Sequence, residues 1–433
     1  MGYVAVRGGR EAIEESLNLL EWERVRSGRS IDVESIQSAF PDLVDQVMGE
    51  SSLYAPELAA LALKQAQGSP EEAVFLLRAF RSTLERPYVS RTIEPKTMEV
   101  DRRISAAFKD VPGGQVLGAT RDYTHRLLDF NLREEDDDSL HEAKKRLKRE
   151  WKKRVVAKAR EKLEAQSDGR GFDCESEGRD FGRLPKVADY LREEGLLVQH
   201  EPNNEEPVDV TMEPLVFPAP RSARLQTLAR GMTQAVGALG YAAIRGFGPA
   251  HPTVAELRHG IIEIAIDHPL GSGAAEDAYC VGSIPVTEVE SLFEVETQNP
   301  QGEKELAFEL GYGMVIGRGE TKAIAMSVLD NCLEQGDKRF PTQDEEFVLY
   351  HVDGIEATGF ISHLKLPHYV TFQSKLSAVR KTRGDEDGVS GICADASVAE
   401  GSLSAQQAVS DEMRTAGAPH AAKADGSIDF EKE

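Results

Sequence analysis

The chain has 433 residues, the length of about two or three domains, of which 40% are hydrophobic and 29% charged. This composition is typical of a globular protein, and no apolar run approaches the roughly 18–20 residues needed to cross a membrane. A formal charge of −23 argues against nonspecific nucleic-acid binding, which requires Lys and Arg to neutralise phosphates. The sequence therefore predicts a soluble protein without a membrane or nucleic-acid partner.

The cysteines indicate a reducing compartment. None of the four stands in a C-x-x-C spacing, so neither a zinc ribbon nor a cysteine-ligated iron–sulfur cluster is expected. The opening residues lack the basic region and the cleavage site of a secretory signal. These observations predict a cytoplasmic protein with reduced, buried thiols at Cys174, Cys280, Cys332 and Cys393.

The amino-terminal part, 1–132, is predicted to be a mainly helical domain. Apolar residues recur at roughly helical intervals over 11–26 and again over 32–84. Within the second stretch, Ser69 and the glutamate three residues later form a capping box, with Pro70 at the first helical position. The pattern indicates an antiparallel layer of helices.

The next part, 133–215, is predicted to be a charged helical insertion and linker. Eleven Lys or Arg and only three Glu lie between 141 and 163, with widely spaced apolar residues, which predicts a long and mostly solvated helix. This basic helix is either an exposed insertion or a docking surface for RNA or another acidic partner.

Residues 216–380 are predicted to form a mixed α/β domain. Turn signals and β-branched runs alternate over 218–306, which predicts a β-rich layer, and 320–333 has helical spacing. The stretch 381–433 is rich in Gly, Ala, Ser and acidic residues and is expected to be a disordered tail. The predicted fold class is α+β, with a helical amino-terminal layer, a β-rich centre, a mixed carboxyl-terminal part and an acidic tail.

Glycines in turns are the first candidates for substrate binding. Gly113 and Gly114 form a predicted turn whose N–H groups suit phosphate oxygens, and the run Gly311-x-Gly313-x-x-x-Gly317 has the same potential. No P-loop motif is present, so ordinary turns are the alternative.

Arginine-rich stretches are sharper candidates. Guanidinium forks bind phosphate bidentately, and the alternative is that these arginines are solvated or ion-paired. The two stretches supply the candidate substrate-binding residues Arg221, Arg224, Arg245 and Gly246.

Two histidines form a candidate metal site. His363 and His368 are five residues apart, a spacing that separates them on a regular helix, but Pro367 imposes a turn that brings them together. Zinc usually takes about four ligands, so the others would come from elsewhere in the chain, a partner or solvent. Packed or hydrogen-bonded histidines are the alternative.

Three consecutive carboxylates are the candidate catalytic residues. Asp344, Glu345 and Glu346 precede the apolar residues 347–349. A partly buried carboxylate here would act as a general acid or base. The alternative is the amino terminus of a helix, where acidic residues are electrostatically favoured.

Several separated stretches together resemble the PhnI family, the I subunits of the carbon–phosphorus lyase core complex. They are 3–9 (YVAVRGG), 57–66 (ELAALALKQA), 102–106 (RRISA), 110–115 (DVPGGQ), 122–130 (DYTHRLLDF), 343–349 (QDEEFVL) and 359–370 (GFISHLKLPHYV). The resemblance covers most of residues 1–375. The basic segment 139–166 and the tail after about 380 depart from the family pattern.

The resemblance implies a subunit of a phosphonate-degrading assembly with G, H and J subunits, an ATP-binding accessory subunit and self-association. The J subunit would carry the iron–sulfur radical chemistry. The resemblance further implies that the chain, with its partners, replaces the adenine of ATP by methylphosphonate, giving α-D-ribose 1-methylphosphonate 5-triphosphate. Alone, it would be a purine nucleoside triphosphate nucleosidase. A zinc-like divalent metal is implied at His363 and His368, near the J subunit.

The residue types allow the chemistry to be divided. Displacement at an anomeric carbon passes through an oxocarbenium-like state, which needs a negative group near the sugar and a proton donor for the leaving purine. We assign these roles to the carboxylates at 344–346, and triphosphate binding to the candidate arginines. A scaffold that only completes an interfacial metal site is the main alternative.

Overall fold

The computed structural model describes residues 9–111, 113–167, 185–200, 203, 205–247, 251–271, 277–298 and 301–383. The chain divides into two compact units, 33–357 and 1–32 with 358–433. The helices of the described residues are α1 (Gly9–Val25), α2 (Val33–Ala39), α3 (Pro41–Ser51), α4 (Pro56–Gln65), α5 (Pro70–Arg81), α6 (Asp137–Ser167), α7 (Val187–Glu193), α8 (Arg221–Arg230), α9 (Thr233–Ala242), α10 (Glu320–Gln335), α11 (Glu345–His351), α12 (Gly354–Ser362) and α13 (Tyr369–Arg383). The strands are β1 (Glu99–Ile104), β2 (Thr253–Asp267), β3 (Ala278–Gln298) and β4 (Lys304–Ile316).

The larger unit contains a four-stranded antiparallel sheet in the order β1-β2-β3-β4. Side chains alternate between the two faces of each strand. One face carries apolar residues such as Val289 and Val315 against α10, whose Met326 and Leu329 are buried. Full burial of such side chains contributes about 1.5–3 kcal/mol each. This helix and sheet form the centre of the unit.

Helix α10 lies directly on the backbone of β4. A Cβ atom at Gly311 or Gly313 would collide with the main-chain oxygen of Ser327 or Ala323. The glycine run therefore serves close helix–sheet packing, and the expectation that these glycines form a phosphate-binding turn is wrong.

The amino-terminal helices α2 to α5 form a separate apolar cluster in the same unit. The predicted capping box is confirmed in part, because Ser69 Oγ accepts from Glu72 N at 3.3 Å and Pro70 begins α5. The helices predicted over 32–84 are therefore present.

The β-rich prediction for 218–306 is wrong in its first part. Residues 221–242 form α8 and α9, and strand structure begins only at Thr253. The turn signals in this stretch mark helix ends. The α+β fold class itself is confirmed by the helices and the antiparallel sheet.

The described side chains of α1, α6 and α13 are mostly exposed. Residues 144–154 of α6 are exposed, as the charge pattern predicts, and no residue of α1 or α13 is buried. Among the described helices, none combines the length and apolar content to cross a membrane. The predicted disordered tail lies outside the described residues from 384 onward.

Candidate functional site

The turn between α12 and α13 brings the two candidate metal ligands together. The ring centroids of His363 and His368 are 5.4 Å apart. Each Nδ1 is hydrogen-bonded to a backbone carbonyl, that of Phe360 for the first ring and that of Leu366, at 2.6 Å, for the second. A carbonyl only accepts, so Nδ1 is the donor in each ring, and in the neutral imidazole Nε2 then keeps its lone pair.

These contacts fit two ligands of a zinc-like ion. Two imidazoles on one tetrahedral zinc, with Zn–N of about 2.0 Å, have ring centres about 5 Å apart. A carbonyl bound to the second ring nitrogen is the usual support for a metal-ligating histidine. Within the described ranges no group of three His, Cys, Asp or Glu is placed to hold a metal. The described residues therefore supply the pair with no third ligand.

Large apolar side chains lie around the histidines and face solvent. Phe360 is 70% exposed and Val370 is 77% exposed, and the same stretch exposes Ile361, Leu364, Leu366, Tyr369 and Phe372. Exposed apolar side chains in such numbers are a feature of surfaces that bind other molecules. We call residues 360–372 the apolar segment.

The three candidate carboxylates begin α11 and differ in their partners. Asp344 caps the helix, accepting from the N–H groups of Glu346 at 3.1 Å and Phe347 at 3.4 Å. Glu345 accepts from Ala219 N at 3.1 Å. Glu346 is exposed, and its carboxylate has no partner among the described residues. Two of the three thus hold the fold, and only Glu346 has a free carboxylate.

The candidate arginines of α8 are ion-paired with α10. Arg221 forks onto Asp330, with Nη2–Oδ2 at 2.6 Å and Nε–Oδ1 at 3.1 Å, and this hydrogen bonding raises the pKa of the guanidinium although burial opposes it. Arg224 pairs with Glu334. Both arginines therefore already have a carboxylate partner within the protein.

The other candidate binding residues are exposed. Arg245 lies in the π turn that follows α9, with its guanidinium 5.9 Å from the Tyr241 ring centroid. Gly246, Gly113 and Gly114 have φ of 135°, 82° and 77°, which glycine adopts without strain. Among the described residues, no hydrogen bond or ion pair joins these positions to one another.

Sequence reasoning missed a buried charged layer on the other face of the sheet. Its ion pairs join Arg103 to Glu256 at 2.5 Å, Arg258 to Glu288 with Nε–Oε2 at 3.1 Å, and Lys186 to Glu288 and Glu290 at 2.7 and 2.9 Å. The alternation Glu256-x-Arg258 and Glu288-x-Glu290 is the sequence signal for such a face. We call these six residues the charged layer.

The pKa values of two carboxylates in the charged layer are shifted in opposite directions. Burial raises the pKa of Glu288, but Arg258 and Lys186 together lower it overall. Burial raises the pKa of Glu290, whose Oε2 is buried without a hydrogen-bond partner among the described residues. The hydroxyl of Tyr312 donates a hydrogen bond to the carboxylate of Glu288 at 3.0 Å. Burial raises the pKa of Tyr312, and the negative charge of Glu288 raises it further.

Comparison with known proteins identifies the class. Residues 2–386 match the family model described as bacterial phosphonate metabolism protein (PhnI). The chain belongs to the PhnI family.

Two relatives are named as subunits of one synthase. The chain is 39% identical to the "Alpha-D-ribose 1-methylphosphonate 5-triphosphate synthase subunit PhnI" of Rhizobium meliloti (strain 1021), over 89% of this chain and 96% of that protein. It is also 39% identical to the protein of the same name from Escherichia coli (strain K12), over 89% and 99%. A third relative, the "Putative C-P lyase subunit protein HtxH" of Stutzerimonas stutzeri, is 39% identical over 88% and 96%.

Proposed function

We propose that the chain is a subunit of an α-D-ribose 1-methylphosphonate 5-triphosphate synthase in phosphonate catabolism. The observation that carries the proposal is the 39% identity, over nearly the full length of both chains, to two proteins bearing that name. In this reaction the phosphonate oxygen forms a bond to the anomeric carbon of ATP, the glycosidic C–N bond breaks, and adenine leaves with a proton.

The proposed partners are the G, H and J subunits, an ATP-binding accessory subunit and a second copy of this chain, in the cytoplasm. The apolar segment supports an assembly, because exposed side chains such as Phe360 and Val370 lose their contact with water when a partner covers them. The absence of closely spaced cysteines in the sequence agrees with a radical centre in another subunit.

His363 and His368 are proposed to hold zinc or a similar divalent ion at this interface. Their free Nε2 atoms and ring separation support the assignment. The two remaining ligands would come from a partner or solvent, since the described residues supply no third group. When bound, such an ion supplies a fixed positive charge and Lewis acidity between subunits.

Glu346 is the best candidate of the three for direct contact with the nucleotide at the anomeric carbon. Asp344 and Glu345 use their carboxylate oxygens to hold α11 and the backbone at Ala219, whereas the Glu346 carboxylate is accessible. Asp344 and Glu345 would then act by positioning Glu346 rather than by contacting the nucleotide. This division narrows the catalytic candidates at 344–346 from three to one.

The decisive experiment measures adenine release from ATP and methylphosphonate by the assembled complex. We expect adenine to appear only when both are present, while the isolated chain releases purine from nucleoside triphosphates without a phosphonate. Glu346→Gln should lower kcat by about 10²-fold or more. No adenine from the complex would refute the proposal.

The histidine variants test the metal assignment separately. His363→Ala and His368→Ala should lower both the zinc content of the purified complex and its retention of the J subunit. His351→Ala is the matched control, because His351 also binds a backbone carbonyl through Nδ1, at 2.6 Å, but is remote in sequence from the pair. Unchanged zinc content in both variants would refute the metal site.

A scaffold role is the second candidate function. It is favoured by the ion pairs that occupy Arg221 and Arg224 and by the structural bonds of Asp344 and Glu345. A scaffold predicts no purine release by the isolated chain and no effect of Glu346→Gln on the complex.

A further inference from the structure

Four arginines of the larger unit converge where α5 and α8 end. Arg78 and Arg81 lie one turn apart at the end of α5, and Arg78 Nη2 donates to the carbonyl of Arg230, the last residue of α8, at 3.2 Å. Arg230 and Arg86 both donate to the loop 209–211, at 2.8 and 3.0 Å. We call Arg78, Arg81, Arg86 and Arg230 the arginine cluster.

Carboxylates compensate only half of this charge. Asp353 pairs with Arg78 at 2.8 Å, and Asp209 pairs with Arg86 at 2.7 Å. Arg81 and Arg230 have no carboxylate within ion-pair distance among the described residues, and their hydrogen bonds go to main-chain carbonyls. Four guanidiniums therefore face two carboxylates in a chain whose overall charge is −23.

The unpaired guanidiniums experience this excess charge. Burial lowers the pKa of Arg230 most, and the charges of Arg78 and Arg81 lower it more than Asp353 and Asp209 raise it, so that it comes to about 10. Arg230 Nε is also buried without a hydrogen-bond acceptor in the described part of the chain. A buried donor without an acceptor costs free energy, so this arginine is not fully satisfied by the described part of the chain.

We infer that the arginine cluster binds an oligophosphate group, with Arg81 and Arg230 supplying the free guanidinium donors. Each guanidinium has five N–H donors in a planar fork that matches phosphate oxygens. Arg81 gives one of these to Ser51 O at 3.1 Å and Arg230 gives one to Val210 O. Only a ligand with several negative charges balances two excess guanidiniums, which favours a di- or triphosphate over a single carboxylate.

The inference deepens the proposed function and rests on it for the natural ligand, the triphosphate of ATP. It replaces the assignment of the triphosphate to Arg221 and Arg224, each of which already has a carboxylate partner on α10. Free inorganic oligophosphate is the other ligand that carries the same charged groups.

Helix capping does not account for the whole cluster. Arg78 and Arg81 donate to the carbonyls of Glu50 and Ser51 at the end of α3, where cations are favoured by the helix dipole. Arg230 makes no such contact, and its buried Nε lacks an acceptor among the described residues. Capping of α3 thus uses one donor of Arg81 and none of Arg230 among the described contacts.

The test is calorimetric titration of the full chain with sodium tripolyphosphate, ATP, inorganic phosphate and adenosine at constant ionic strength. We expect Arg81→Gln and Arg230→Gln each to weaken tripolyphosphate and ATP by about tenfold or more, the size of one charge-assisted hydrogen bond. Inorganic phosphate should bind more weakly than tripolyphosphate, and adenosine binding should not change. Arg339→Gln, which removes an arginine that is 84% exposed and paired with the neighbouring Asp337, is the matched control.

The results distinguish a nucleotide ligand from free oligophosphate, and a further variant controls for unfolding. Equal losses for ATP and tripolyphosphate assign the site to the nucleotide, and a loss for tripolyphosphate alone assigns it to free oligophosphate. Arg86→Gln removes a half-exposed member of the cluster and provides a variant with little risk of unfolding, checked by its thermal midpoint. No tripolyphosphate binding by the wild type, or wild-type affinity in all three cluster variants, would overturn the inference.

The inference and the proposed function fail in different ways. If the complex releases no adenine although Arg81→Gln weakens oligophosphate binding, the proposed function fails and the site stands. If the complex releases adenine and Arg81→Gln leaves the KM for ATP unchanged, the site fails and the proposed function stands.

Discussion

The charged layer and the arginine cluster are both rich in charge, but they differ in how that charge is balanced. In the charged layer three cations meet three carboxylates, and Arg103 and Arg258 are almost fully buried. In the arginine cluster four cations meet two carboxylates, and the members are only partly buried. Balanced buried charge fixes a structure, whereas unbalanced charge near the surface provides a site for a ligand.

Breaking one pair of the charged layer should have the largest effect. Arg258→Met leaves the buried Glu288 with Lys186 as its one ion-pair partner among the described residues. Removing one partner of a buried pair lowers the free energy of unfolding by about 3–5 kcal/mol. Urea denaturation of this variant against Arg339→Met measures the loss. A loss of stability no larger than that of the exposed control would contradict the structural role of the charged layer.

Lys322 differs from both regions, because it is a buried cation held by carbonyls instead of carboxylates. Its Nζ donates to Ala229 O at 2.7 Å and Gly231 O at 2.6 Å, and burial lowers its pKa to about 8. The unfolded lysine keeps its proton to about pH 10, so folding releases a proton between these values and a rise in pH favours the folded state.

The matched variant for this effect is Lys322→Met. The free energy of unfolding of the wild type should rise relative to the variant between about pH 8 and 10, by up to about 1.4 kcal/mol per pH unit. Chemical denaturation at several pH values gives the difference. A constant difference across this range would show that Lys322 keeps its ordinary pKa.

A smaller loss is expected from the arginine cluster. Asp353→Asn removes the partner of Arg78 and weakens the cap that Asp353 provides to the N–H groups of Ile355 and Glu356. The free energy of unfolding should fall by about 1–2 kcal/mol at neutral pH.

Acid should close this gap, since Arg78 holds the pKa of Asp353 below its ordinary value even though burial opposes the shift. The stabilisation is present above the pKa that Asp353 has in the unfolded chain and is lost as the pH falls through its pKa in the folded protein.

Tripolyphosphate should stabilise the wild type more than it stabilises the Arg81→Gln variant. A gap that persists in acid, or equal stabilisation by the anion, would count against this account.

The smallest effect should come from Glu290, the one imperfectly balanced carboxylate of the charged layer. Its raised pKa means that its contribution to stability is full in acid and is lost as the pH rises through the folded value. Glu290→Gln should therefore become more stable relative to the wild type as the pH rises from about 4 towards neutrality. Thermal midpoints along this series test the sign, and a falling relative midpoint would contradict it.

Local sequence signals are sufficient to predict the elements that depend on interactions between residues close together in the chain. The spacing of apolar residues and the cap at Ser69 predict α5, and the charge pattern predicts α6. The turn imposed at Pro367 predicts that His363 and His368 meet, as the 5.4 Å between their rings confirms. The helices α8 and α9 were missed because neighbouring prolines and glycines resemble turn signals.

The partners of charged residues are not a local property. Nothing near Arg221 or Arg224 in the sequence indicates the carboxylates of Asp330 and Glu334, which are more than a hundred residues away and are brought near by α10 packing on the sheet. The same holds for the arginine cluster, whose members come from two helices and a loop. Residue type therefore identifies candidate arginines, and only the fold distinguishes those with a carboxylate partner from those without one.

Gly311 and Gly313 have a consequence for the evolution of this fold. Because main-chain oxygens of α10 occupy the space of their missing Cβ atoms, the separation between this helix and β4 is set by the peptide backbone and is independent of the surrounding side chains. Related chains can then exchange neighbouring core residues freely while the two layers keep their spacing. We expect an alignment of chains that share this packing to vary around these two positions but not at them.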